Sequence, residues 1–131
     1  MKVRPIWIWA SNAEEARHLK KIFDEVNLLN PITLLDATTP FRAAELTTRP
    51  LVALLDLSLP NNRAWEILTE ARNITDGELC FLALIQPGEE SILDRAYDAG
   101  VKSYLVKPFT FVQFIERARL LQLNSILSTS K

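Results

Sequence analysis

The sequence predicts an α/β fold, a five-stranded parallel sheet wound on both faces by helices. Three observations predict it. Five short apolar runs alternate with five stretches of helical periodicity, the pattern of repeated βα units. The middle run, "LVALLDL" (51–57), is almost unbroken in apolar residues, as a strand buried on both faces must be. Glycine and proline fall at the joints: Gly100 directly follows the last apolar residue of a helical stretch, and Pro31, Pro40, Pro50, Pro60, Pro87 and Pro108 fall at or near junctions.

Taken in order, the strands are predicted at 5–10, 32–35, 51–57, 79–85 and 103–106. Leu19, Ile22, Phe23 and Val26 recur at helical spacing and mark an amphipathic helix over 13–27. Phe41, Ala44 and Leu46 predict a short second helix. Trp65, Leu68 and Ala71 predict a third, and Ile92, Leu93, Ala96 and Ala99 a fourth. Phe111, Phe114, Ile115 and Ala118 give the last helix its apolar stripe. "SNAE" (11–14) fits a capping box opening the first helix, with Ser11 as N-cap and Glu14 reaching back. Each crossover is expected to be right-handed.

The 131 residues suffice for one domain with its own core, and at 48% hydrophobic content the chain is not of disordered composition. No apolar run reaches the roughly 20 residues that span a bilayer. The opening "MKVRPIWIWA" is too soon broken by "SNAEE" to be a secretory signal. A formal net charge of −1 with no basic cluster gives no footprint for nucleic acid. Cys80 is the only cysteine, which excludes an internal disulfide, and within "ELCFLALI" it is expected to be a buried thiol. A cytoplasmic location is the default expectation. With one histidine, His18, off the apolar stripe of its helix, no Ser–His–Asp or Cys–His arrangement is in view. No glycine-rich loop follows the first strand, against a nucleotide binder. The chain is not expected to be an enzyme.

Ligands of such sheets bind outside the carboxyl ends of the strands. There the chain offers Ser11 and Asn12 after the first strand, Asp36 after the second, Asp56 on the third, Ile85 and Gln86 on the fourth, and Lys107 on the fifth. Asp56 and Lys107 are strongly charged and sit in apolar frames, so each needs a partner. By itself such a pair serves equally as a structural pin or as a site. Trp7 and Trp9 are expected to pack in the core, and Trp65 to be exposed in part.

Two stretches carry a family resemblance. "LLDLSLPNN" (54–62) resembles the phosphoacceptor loop of response-regulator receiver domains of two-component signalling, and "RAYDAGVKSYLVKPF" (95–109) resembles their passage into the fifth strand. The likeness runs over roughly 5–122. It implies a flavodoxin-like sheet of order 2-1-3-4-5, a receiver domain over 1–123 and a tail over 124–131. It further implies that Asp56 accepts a phosphoryl group from a histidine kinase, that Lys107 pairs with the phosphoryl oxygens, and that Ser58 lends its carbonyl to a metal ion. Tyr104 matches the aromatic switch residue. The bond before Pro108 is expected to be cis. By the same resemblance, Lys102, Tyr104, Phe109 and the last helix are expected to form the face that receivers use for partners or homodimers.

The chain departs from the family at three points. Where receivers carry an acidic pair for Mg²⁺ after the first strand, spacing puts Ser11 and Asn12, or, with a slip of one residue, Ala10 and Ser11. Metal ligation would then fall on Asp56, Ser58 and, weakly, the neutral oxygen of Asn12, so Mg²⁺ binding is expected to be weakened. Glu14 and Glu15, at the start of the first helix, are expected to complement its dipole, with Glu15 the better placed of the two to compensate at the metal. At the switch position Ile85 replaces a Thr or Ser and cannot donate a hydrogen bond. Ala64 stands where a glycine is usual, with Asn61 and Asn62 able to take the turn. Two expectations therefore stand side by side: a phosphorylated receiver with an atypical site, and a phosphorylation-independent pseudo-receiver that binds proteins.

Overall fold

The computed structural model describes residues 4–26, 28–38, 50–75 and 79–121. Five parallel strands form one sheet in the order β2-β1-β3-β4-β5: β1 (Ile6–Trp9), β2 (Ile32–Leu35), β3 (Val52–Asp56), β4 (Phe81–Ile85) and β5 (Val101–Val106). The expected sheet and its order are thus found. Four α-helices are described: α1 (Ala13–Asp24), α2 (Arg63–Thr75), α3 (Leu93–Asp98) and α4 (Phe111–Leu120). The helix expected around Phe41, Ala44 and Leu46, and the 124–131 tail, lie outside the described residues.

Alternation along buried strands divides the core in two. On one face Trp7, Trp9, Ala53, Leu55, Ala83 and Ile85 pack with Ala64, Ile67, Leu68 and Ala71 of α2 and Ala96 of α3. On the other, Ile6, Ile8, Leu54, Leu82, Leu84 and Leu105 meet Leu19 and Phe23 of α1 and Phe114 of α4. Every residue of β1, β3 and β4 is buried, so apolar runs without alternation are what those positions demand. The edge strand β2 is only half covered. Trp7 and Trp9 lie in the core as expected, edge to face with centroids 5.9 Å apart. Cys80 is partly rather than fully buried, because it precedes β4 instead of lying inside it. Burial pushes its thiol pKa up, against a smaller opposing pull from Lys102.

Local chemistry sets the joints. Gly100 takes φ +110° just past Ala99, the C-cap of α3, a left-handed geometry that stops the helix. Asn61 and Asn62 both adopt positive φ, 59° and 58°, in the turn between β3 and α2. Asparagine tolerates that region better than other side chains. With the turn so made, Ala64 is free to be fully buried against the sheet.

Candidate functional site

The carboxyl ends of β3 and β5 flank that of β4, so Asp56 and Lys107 are separated by a strand. The backbone of Lys107 continues the ladder, its N–H donating to the Ile85 carbonyl at 2.8 Å. The following Lys107–Pro108 bond is cis. The Lys107 side chain crosses above β4, and its Nζ donates to Asp56 Oδ2 at 2.6 Å. It also donates to Oε1 of Glu15 at 2.9 Å. Ser58 N–H donates to the other Asp56 oxygen, Oδ1, at 2.8 Å. The result is a triad of two acids and one ammonium, drawn from α1, β3 and the end of β5.

Glu15 reaches this position because of where α1 begins. Its N-cap is Asn12, whose Oδ1 accepts the Glu15 N–H at 2.8 Å. The expectation of Ser11 as cap with Glu14 reaching back is therefore corrected by one residue. Both Ser11–Glu14 and Asn12–Glu15 satisfy the capping-box spacing, and the local sequence does not choose between them. Tertiary structure decides: this register turns Glu15 toward Lys107 and leaves Glu14 exposed. The Ser11 hydroxyl then donates to Glu15 Oε2 at 3.1 Å, so both carboxylate oxygens are held.

Burial and pairing pull against each other here. Burial raises the Asp56 pKa, but the hydrogen bonds it accepts from Lys107 and the Ser58 N–H outweigh it, and the net shift is downward from 3.8. Burial likewise disfavours the Lys107 charge, but its bonds to Asp56 and Glu15 prevail and lift its pKa above 10.5. The cleft thus holds charged groups at neutral pH.

The remaining sequence-derived residues separate clearly. Asn12 opens α1, and its side-chain oxygen serves as the helix cap. Ser58 lies beside Asp56 and presents its N–H to it. Ile85 is wholly buried in the core, and the half-buried Tyr104 packs on the same apolar cluster. The Arg117 guanidinium lies 4.8 Å from the centroid of the Tyr104 ring. Asp36 is exposed and accepts from the Thr38 N–H, closing a turn at the edge strand. His18 is exposed on α1, and the partly buried Trp65 carries Arg95 at 3.9 Å over its ring.

The donors near Asp56 bear on metal binding. Among the described residues no group of three or more metal-ligating side chains converges. Glu15 is the second acid, but its oxygens are committed to Lys107 and Ser11, and the Asn12 oxygen is committed to the helix.

No family model matches the chain. It is 32% identical over 74 residues to the transcriptional regulatory protein KdpE of Staphylococcus aureus, covering 56% of this chain and 31% of that protein. The chain thus spans about a third of the length of the curated relatives it matches. Among solved structures it superposes on the bacteriophytochrome response regulator RtBRR with TM-score 0.70 and 26% identity, over 93% of this chain and 78% of that one. It also superposes on the receiver domain of the sensor histidine kinase PA1611 of Pseudomonas aeruginosa, with TM-score 0.71 and 24% identity over 92% and 96%. That structure holds a magnesium ion in its active-site cleft. With its strand order, its crossing lysine and these neighbours, the chain has the receiver-domain fold of two-component response regulators.

Proposed function

We propose that the chain is a receiver module whose phosphoacceptor is Asp56. The observation that supports this reading is the 2.6 Å contact between the Lys107 ammonium and a fully buried Asp56 carboxylate at the carboxyl edge of the sheet. A carboxylate oxygen of Asp56 attacks phosphorus, forming an acyl phosphate. The bond from phosphorus to the nitrogen of a phosphohistidine donor breaks, and its electron pair stays on that nitrogen. Lys107 follows the charge by turning its N–H groups to the phosphoryl oxygens. Its reach across β4 places it for that role. The donor would be a histidine kinase, and the chain acts as an acceptor, not a turnover catalyst.

Divalent metal would assist weakly, since the second acid is already engaged. Phosphoryl transfer leans on charge neutralisation, so modification should be slow. Downstream partners and homodimerisation would use the face of β5 and α4, where Tyr104, Gln113, Glu116 and Arg117 line a groove of about 300 Å³. Among the described residues no helix is long and apolar enough to cross a membrane.

A second reading is favoured by Ile85, which buries a methyl-bearing side chain where a hydroxyl would link phosphate to Tyr104. In that reading the chain is a phosphorylation-independent interaction module, and the ion triad only pins the strand ends. Intact mass after incubation with an acyl-phosphate donor and Mg²⁺ separates the two. The first predicts one added phosphoryl group that is absent in Asp56→Ala; an unchanged mass for the wild-type chain supports the second.

A further inference from the structure

We infer that Glu15 is a positioning residue that holds the Lys107 ammonium as an internal anion, which an entering phosphoryl group must displace. This rests on the reading of the cleft as a phosphoryl-accepting site. Three observations on the molecule carry it. Glu15 bonds Lys107 at 2.9 Å across 92 positions of sequence, and it is fixed there from behind by the Ser11 hydroxyl and by the Asn12 cap on its own N–H. Exposure rises outward through the triad, from 0% for the Asp56 side chain to 9% for Lys107 and 21% for Glu15. Finally, a groove of about 220 Å³ opens beside the triad, lined by Glu15, His18, Gln86, Lys107, Pro108 and Phe109.

The electrostatics follow from counting charges. Two carboxylates and one ammonium leave the closed cleft net negative, which repels a phosphoryl dianion. An ammonium has three donors, and two of them are given to carboxylates. When Glu15 swings toward solvent, Asp56 and Lys107 remain as a neutral pair with a donor released. Glu15 thus occupies the place on Lys107 that a phosphoryl oxygen would take. The site favours small tetrahedral oxyanions only once that contact opens.

The test is titration of the protein with inorganic phosphate in the presence of a chelator, followed through the NMR resonances of the Lys107 side chain and the Ser58 amide. Glu15→Gln keeps the shape of the side chain and removes its charge, and phosphate should bind at least about fivefold tighter than to wild type. Glu15→Asp keeps the charge at the start of α1 but is one carbon short of Lys107; it should also bind tighter. Adding Lys107→Met to Glu15→Gln should abolish the gain. Unchanged or weaker affinity in Glu15→Gln overturns the inference. So does wild-type behaviour in Glu15→Asp, which would make Glu15 a helix-dipole charge only, or a gain that survives loss of Lys107. Intact mass with an acyl-phosphate donor is read separately on the same variants. Tighter phosphate binding with no added mass leaves the Glu15 inference standing and removes Asp56 as phosphoacceptor.

Discussion

Lys107 holds two acids at once, so removing it leaves both without their cation. Asp56 has no solvent to turn to. Breaking a buried pair from one side typically costs about 3–5 kcal/mol. Lys107→Met should therefore lower the urea midpoint by an equivalent amount at neutral pH, and Asp56→Asn added to it should recover most of the loss. The pH profile carries a definite sign. Asp56 has a folded pKa below its unfolded 3.8, so its contribution is complete above that value and is lost as pH falls through the folded one. Lys107 has a folded pKa above 10.5, so its contribution is complete below that value and is lost only as pH rises through the folded one. Urea midpoints measured across pH should form a plateau with an acid shoulder that disappears in Asp56→Asn; an unchanged shoulder would remove Asp56 as its source.

At the scale of elements, the start of α1 and the turn before α2 are the sensitive joints. Asn12→Ala removes the cap of α1 and should cost about 1 kcal/mol in chemical denaturation. It should also loosen Glu15, whose N–H the cap holds. Ser11→Ala should cost less, because the Ser11 hydroxyl binds a side chain and not the helix backbone. In the turn, Asn62 has φ 58°. Asn62→Val should lose about 1–2 kcal/mol, since a β-branched residue pays for the left-handed region, while Asn62→Gly should be nearly neutral. Equal losses for valine and glycine would show that the Asn62 side chain, not its backbone geometry, matters.

Across the whole molecule, stability should follow the sheet order. β1, β3 and β4 are buried on both faces, and the β2 edge is not. Native-state amide exchange should be slowest in Val52–Asp56 and its neighbours and fastest, among strands, in Ile32–Leu35. The ion triad ties the carboxyl ends of β3 and β5 to α1, which packs on the face opposite α2 and α3. Breaking it should therefore raise exchange at the carboxyl edge of the sheet and leave the amino edge unchanged.

Apolar periodicity determined most of this architecture: "LVALLDL" reads as a doubly buried strand because no alternation is left in it, and Leu19 with Phe23 reads as a helix stripe because the repeat is 3.6. Asp56 and Lys107 were legible for a similar reason, since a charge at the end of an apolar strand demands a partner. Glu15 was not legible in the same way. Its place depends on which of two overlapping capping patterns begins α1, and they differ by one residue and little local energy. Only the tertiary structure decided between them, because the Lys107 ammonium lies within reach of one register's acid, and a long-range charge contact outweighs a local choice that is otherwise nearly even.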